Sequence, residues 1–290
     1  MLRFDGKVAL LTGAGRGLGR SHAELLAARG AAVAINDVDA HAAQETVDAI
    51  TAAGGRAALA PGDITAEAEA VVRAAVDAFG RLDVVINNAG IDRPSPFGAD
   101  VVDTIKRHME VNFFGTVSIT AAAWPHLVAS GNGRVVNTAS PTLTGWEGES
   151  AYVASKGALY SFTRTVSIEA LKSGIRVNAI APTAFTRMAE EADLPDSLKE
   201  TLKANYTTAM VSPVVAYLAH EDCSIAGETI LAQGGLIQRL SLAMNEGYTN
   251  PSITPEDVQA NLTTILDDCT AKPLGGIGSA EETSLLDLFE

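Results

Sequence analysis

The chain has 290 residues, 47% of them hydrophobic, and its 21 basic against 35 acidic side chains give a formal net charge of −14. That composition affords a full apolar core and excludes a fibrous or disordered chain. An acidic chain without a basic stripe is not expected to bind nucleic acid, and two distant cysteines, Cys223 and Cys269, match no metal-binding spacing. The opening MLRFDGKVALLTGAG is interrupted by Arg3, Asp5 and Lys7, so VALL is too short for a secretory core. No apolar run approaches a membrane span, and a soluble, cytoplasmic protein is expected.

Residues 7–12, KVALLT, read as a first strand, followed by a glycine-rich turn and the helical SHAELLAARG, which stops at Gly30. AAVAIND is a second strand, AHAAQETVDAITAAGG a second helix, RAALAPGD a third strand, AEAEAVVRAAVDAFG a third helix and LDVVINNAG a fourth strand. A long helix around 100–129, the strand GRVVNTAS, a helix over 151–173 and the strand IRVNAIAP continue the alternation. The strands are continuous apolar runs, as burial on both faces requires. The fold class expected is therefore α/β: a Rossmann-type doubly wound parallel sheet with helices on both faces. Beyond Pro182 the pattern loosens into a charged helix broken by Pro195, the helix SPVVAYLAHEDC and a last strand, GETILAQGG. We expect one domain over residues 1–240 and a C-terminal extension over 241–290. In the extension, Thr254 as cap, Pro255 at the first helical position and Asp257 three residues after the cap mark a helix start. The final AEETSLLDLFE is acidic and amphipathic.

TGAGRGLG, Thr12 to Gly19, lies between the first strand and the first helix. Glycines there let the backbone approach a pyrophosphate whose charge rests on the helix N-terminus, which predicts dinucleotide binding. The second strand ends at Asp37, which can accept from the adenosine ribose hydroxyls and repel a 2′-phosphate. Arg16 points the other way, because a cation in the loop could meet that phosphate; Asp37 holds the discriminating position, so NAD is the expected cofactor.

Together with Asp63 in GDIT, NNAG at 87–90, Asn112 in EVNFFG, Ser140 in VVNTAS and the pair Tyr152-x-x-x-Lys156, this loop resembles the short-chain dehydrogenase/reductase family over most of residues 5–240. The chemistry of the pair is explicable. Oxidising a secondary alcohol requires a base for the hydroxyl proton as hydride leaves, and tyrosine is a poor base at its ordinary pKa near ~10. A lysine one helical turn away, with the positive nicotinamide, is expected to favour the phenolate. Tyr152 is thus the predicted acid/base, with Ser140 bonding the substrate oxygen. The resemblance implies that Lys156 also holds the nicotinamide ribose and that Asn112 fixes a relay water. It further implies that Gly13, Arg16, Gly17, Leu18 and Gly19 cradle the cofactor and that Asp63 and Ile64 flank its adenine. Asn88, Ala89 and Gly90 would line it, and Pro182 to Ala184 would pass near the nicotinamide amide, with Thr186 just beyond.

The chain departs from the family pattern in two places. Thr183 stands where the family usually has glycine, and the interval from Ser140 to Tyr152 is one residue short, so Thr142 or Thr144 could replace Ser140. The tail, with APTAFTRM and VAINDVD, resembles the (3R)-hydroxyacyl-CoA dehydrogenase units of peroxisomal multifunctional β-oxidation enzymes, which implies a free-standing dehydrogenase of that kind. Arg93, Lys106, Arg107 and Arg187 are candidate cations for CoA phosphates. Met188, Leu194, Leu198 and Leu202 are candidate pocket residues, and Trp146 and Tyr206 are candidates to face the substrate beside them. A dehydrogenase of a free alcohol, such as a steroid or terpene, and a non-catalytic NAD-binding scaffold remain open. Small apolar faces on the helices around 100–129 and 151–173 imply a homodimer or homotetramer.

Overall fold

The computed structural model describes residues 1–98, 101–186, 190 and 195–273. Its main sheet has the order β3-β2-β1-β4-β5-β6-β7-β8. The strands are β1 (Val8–Leu11), β2 (Ala32–Ile35), β3 (Arg56–Leu59), β4 (Val84–Asn87), β5 (Arg134–Thr138), β6 (Arg176–Thr183), β7 (Thr229–Gln233) and β8 (Leu236–Leu240). The first seven are parallel; β8 turns back antiparallel on β7. Strand order reverses between β1 and β4, which opens a crevice at their C-terminal ends.

Alternate strand residues serve opposite layers, because successive side chains leave opposite faces of a strand. Leu11, Val33, Ile35 and Ile86 pack with α1 (Gly17–Ala28), α2 (Ala40–Ala52) and α8 (Thr208–Ala219). Leu10, Ala34, Val85 and Val135 pack with α3 (Ala68–Phe79), α5 (Gly115–Ala129) and α6 (Ser150–Leu171). This double burial is why the strands carry no polar alternation.

Two expectations about elements need correction. The helix around 100–129 is not uniform: α4 (Val101–His108) passes through a π-helical turn, Met109–Phe114, into α5. That turn disturbs the backbone ladder, and the Thr116 hydroxyl donates to the Asn112 carbonyl at 2.9 Å. The strand β8 was not anticipated, since Leu236 to Arg239 are exposed and show no alternation; it is held by pairing with β7 and by Arg239, which grips Glu228 at 2.8 and 3.0 Å.

The extension begins against the catalytic helix, where the Leu242 N–H donates to the Tyr160 hydroxyl at 3.1 Å. It continues through β9 (Ala243–Met244), which pairs with β10 (Lys272–Pro273). Between them, α7 (Asp196–Asn205) having preceded α8, come α9 (Pro255–Ala260) and α10 (Leu262–Ile265). Thr254 and Asp257 form the reciprocal cap at the start of α9 that the sequence announced. AEETSLLDLFE lies outside the described residues. Among the described residues, no helix is long and apolar enough to cross a membrane.

A buried arginine fastens the far end of the sheet. Arg134, 1% exposed, donates to the carbonyls of Gly133, His220 and Glu221 at 2.9, 3.0 and 2.8 Å. Replacing Arg134 by Met leaves these acceptors without their donors and is expected to destabilise the fold by roughly 3 kcal/mol, or a thermal midpoint lower by about 5–10 °C. A calorimetric midpoint unchanged from wild type would show that the carbonyls find other donors.

Candidate active site

The glycine loop lies against the end of β4. Gly13 and Gly17 have φ of +59° and +55°, a region that disfavours side chains. A Cβ on Gly13 would come within 2.7 Å of the Ala89 Cα, and one on Gly19 would collide with the Gly13 carbonyl and lie 2.6 Å from Asn88 Nδ2. The contact is secured by Thr12, whose hydroxyl accepts from the N–H groups of Asn88 and Ala89, each at 3.1 Å. Asn88 Nδ2 returns bonds to the carbonyls of Thr12 and Gly13 at 3.1 and 2.9 Å. No side chain caps α1. Its N-terminal N–H groups are therefore left for an anion, and the cradle fits a pyrophosphate. Leu18 packs under the loop against the core.

At the end of β2, Asp37 is held from two sides: Oδ2 accepts from the Gly15 N–H and Oδ1 from the Asp39 N–H, both at 3.0 Å. Arg16 does not stand as a free cation, because it pairs with Asp39 at 2.6 Å. Asn36 donates to the carbonyls of Ala60 and Gly62 at 2.8 and 2.9 Å, joining the ends of β2 and β3. Asp63 caps its own turn by accepting from Thr65 N and Oγ1 at 2.9 and 2.8 Å. The Ile64 side chain is buried against Gly115, so what Ile64 can present to the crevice is backbone.

On the other side of the crevice, α6 carries Tyr152 in its first turn and Lys156 one turn later. Lys156 is buried; its Nζ donates to the Thr138 carbonyl at 2.6 Å and lies 5.5 Å from the centre of the Tyr152 ring. Ser140 stands beside the phenol and favours its ionised form. Its Oγ also accepts from Thr142 N at 3.2 Å and lies 2.8 Å from Thr142 Oγ1. The short interval is thus absorbed by a 3₁₀ turn, Pro141–Thr144, and Ser140 keeps its place; Thr142 supports it, while Thr144 is exposed. A Cβ on Gly90 would lie 3.2 Å from Asn112 Oδ1 and 3.5 Å from Lys156 Nζ, so all three line one space. The Asn112 side chain is a brace: Oδ1 accepts from Ile91 N at 2.8 Å, and Nδ2 donates to the Ile91 carbonyl and Ser155 Oγ at 3.0 and 2.9 Å. At the end of β6, Thr183 donates to Gln233 Oε1 at 3.3 Å, which takes up its extra bulk between β6 and β7; Pro182 and Ala184 are half-buried beside it.

The electrostatics of the protein's own groups run against the lysine half of one expectation. Burial pushes the Tyr152 phenol up to about 12; Ser140 opposes this, and the carboxylates Asp92 and Glu149 add to it. Burial also pushes Lys156 down to about 8, with Asp92 opposing. Among the protein's own groups, desolvation outweighs any help the ammonium gives the phenolate. Asp92 and Glu149 were missed by sequence reasoning. Their signals were present: Asp92 lies two residues beyond NNAG, and Glu149 lies three residues before Tyr152.

Of the candidate substrate residues, Trp146 is 69% exposed and Leu198 is exposed, while Leu202 and Tyr206 are half-buried. Arg187, Met188 and Leu194 lie outside the described residues. Arg93 and Arg107 line one groove of about 380 Å³ with Ser95, Thr104 and His108. Arg107 is paired with Glu110 at 2.6 Å and Lys106 with Asp103 at 3.2 Å.

A dinucleotide-shaped cradle that runs into a Ser–Tyr–Lys group is the equipment of an oxidoreductase acting on a CH–OH group with a nicotinamide cofactor. Comparison with known proteins gives the family. The model described as short chain dehydrogenase matches residues 7–196. Peroxisomal multifunctional enzyme type 2 of Drosophila melanogaster is 36% identical, matching all of this chain and 50% of its own length. The solved structure of that enzyme superposes with a TM-score of 0.77 at 32% identity, over 94% of this chain and 48% of the other. The (2S)-[(R)-hydroxy(phenyl)methyl]succinyl-CoA dehydrogenase subunit BbsD of Thauera aromatica is 35% identical over 80% of this chain and 97% of its own. A 7α-hydroxysteroid dehydrogenase complexed with NADH and 7-oxo glycochenodeoxycholic acid superposes with a TM-score of 0.75 at 29% identity, over 80% and 95% of the two chains. The chain spans about half the length of the Drosophila enzyme. It belongs to the short-chain dehydrogenase family.

Proposed function

We propose that the chain is an NAD-dependent dehydrogenase that converts a (3R)-hydroxyacyl-CoA thioester to the 3-oxoacyl-CoA. The observation that carries the cofactor half is the state of the β2 end: Asp37 is preorganised to accept from ribose hydroxyls, and Arg16 is already neutralised by Asp39. A 2′-phosphate there would meet carboxylates and a compensated cation. The substrate half is supported by the Thauera relative, a dehydrogenase subunit for a hydroxylated CoA thioester, and by Arg93 and Arg107 sharing one groove beside the segment that leads from β4.

Bound oxidised nicotinamide dinucleotide supplies the hydride acceptor and a positive charge beside the phenol. The Tyr152 oxygen takes the substrate's hydroxyl proton, and Ser140 donates to the same substrate oxygen as its charge develops. Lys156, anchored on Thr138, holds positive charge one turn behind the phenol and would hold the cofactor ribose. Asn112 sets the inner wall of that space, where a water would carry the proton onward.

The test is NADH formation with NAD or NADP, (3R)- and (3S)-hydroxyacyl-CoA, and free steroid and terpene alcohols. Turnover selective for the (3R)-thioester with NAD bears the reading out; turnover restricted to free alcohols replaces its substrate half. The free-alcohol reading is favoured by the ion pairing of Arg107 and Lys106, which leaves the rim weakly basic. Arg93 separates the two. Replacing Arg93 by Ala is expected to raise KM for the CoA thioester about fivefold, corresponding to ~1 kcal/mol, and to leave a free alcohol unaffected. Exposed Val128, Ile168 and Leu171 on the outer sides of α5 and α6 support a homo-oligomer, which light scattering would size.

A further inference from the structure

The carboxyl groups of Asp92 and Glu149 meet beside the acid/base. Asp92 belongs to the segment leaving β4; Glu149 immediately precedes α6, one turn before Tyr152. The two segments are joined by backbone, since the Ser95 N–H donates to the Gly148 carbonyl at 2.8 Å. The Asp92 side is held further by Ile91, which exchanges two bonds with Asn112, and by the Arg93 N–H, which donates to His108 Nε2 at 3.1 Å. One oxygen of each, Asp92 Oδ1 and Glu149 Oε2, is buried without a hydrogen-bond partner, and Asp92 acts on the Glu149 carboxyl. Two ionised carboxylates offer each other no donor, whereas a proton kept on one of them supplies it. A second negative charge at these unpartnered oxygens is costly. The titratable groups that face the pair are Tyr152 and Lys156, both on α6. Arg93 and Glu147, next to the pair in sequence, are exposed, and His108 is turned to backbone.

We propose that Asp92 and Glu149 share one proton, act as positioning residues that clasp the β4–α4 segment to the first turn of the catalytic helix, and by their remaining charge set how readily Tyr152 yields its proton. This rests on Tyr152 being the acid/base of the proposed reaction. The proton resides on Glu149, which burial first, and then Asp92, push up to about 7. The sign follows. A carboxyl raised above its unfolded value contributes stability that is complete below that value, near 4.5, and is lost as pH rises through about 7. Over the same interval the pair goes from one negative charge to two, and each charge opposes the phenolate.

The experiment compares wild type, Glu149→Gln and Asp92→Asn in two measurements. The first follows the thermal midpoint from pH 5 to pH 8.5 without substrate. Wild type is expected to lose midpoint as pH rises through about 7, and Glu149→Gln, whose amide donates without titrating, is expected to stay flat through that interval. The second follows kcat for alcohol oxidation against pH at saturating NAD. As pH rises through about 7 wild type gains a second negative charge beside Tyr152 and neither variant does, so above that pH their acid limbs are expected to lie at lower pH, with at least threefold higher kcat than wild type, relative to each plateau, on the rising limb. A merely structural contact would lower kcat without moving the limb. Parallel midpoint curves for wild type and Glu149→Gln would overturn the shared proton, whatever the activity. Coincident acid limbs, in a protein whose Tyr152→Phe variant is inactive, would overturn the influence on Tyr152. An active Tyr152→Phe variant would remove the acid/base reading, and with it the influence on Tyr152, and leave the midpoint arm to decide the shared proton.

Discussion

Tyr152→Phe should cut kcat for alcohol oxidation by about 10³-fold or more and leave NAD affinity within about twofold, because a positioned acid/base contributes on the order of 10²–10⁴. The ring stays, so the packing of α6 stays; the oxygen alone is removed. Tight NAD binding by titration calorimetry together with lost turnover fits the assignment. A Phe variant that still turned over would transfer the base to another group, for which the Thr142 hydroxyl, 2.8 Å from Ser140 Oγ, is a candidate. Because burial holds the phenol near 12, the wild-type oxidation rate should rise with pH at saturating cofactor. Lys156, brought down to about 8, begins to lose its charge as pH rises through that value. The stimulation should therefore flatten above it.

Asp37→Ala should raise KM for NAD by about 10–100-fold, the equivalent of ~1.5–3 kcal/mol for hydrogen bonds to a charged group, and shift the NAD/NADP preference by the same factor. The variant also frees the Gly15 N–H, which Asp37 now occupies, so a small drop in thermal midpoint should accompany it. A combined Asp37→Ala, Asp39→Asn variant should go further, because Arg16 then has no partner in Asp39 and can meet a 2′-phosphate. Unchanged coenzyme kinetics in Asp37→Ala would mean that the ribose is held elsewhere in the crevice.

Much of the crevice was legible along the chain because its parts are local. A glycine run between a strand and a helix, an acidic residue at a strand end, and a Tyr and Lys one turn apart each carry their meaning within a few residues. The buried strands were legible for the same reason: four or five apolar residues bounded by turns. The cap at Thr254 and Asp257 is likewise a matter of three residues.

What escaped the chain reading depends on residues distant in sequence. The pairing of Arg16 with Asp39 crosses from the glycine loop to the start of α2. The π turn that carries Asn112 disturbs a helix whose sequence reads as continuous, and Asn112 then braces Ile91 and Ser155. Edge strand β8 has no apolar period because it is exposed, and its place comes from β7. The phenol is the sharpest case. Spacing alone argues that Lys156 lowers the Tyr152 pKa, and it does place the two groups together. Folding also buries Lys156, half-buries Tyr152 and sets Asp92 and Glu149 beside them, and desolvation, which no spacing encodes, then dominates the balance. Residue order specified the groups and their neighbours within a turn; the packed fold set their dielectric surroundings and the charges that face them, and those decide when a proton moves.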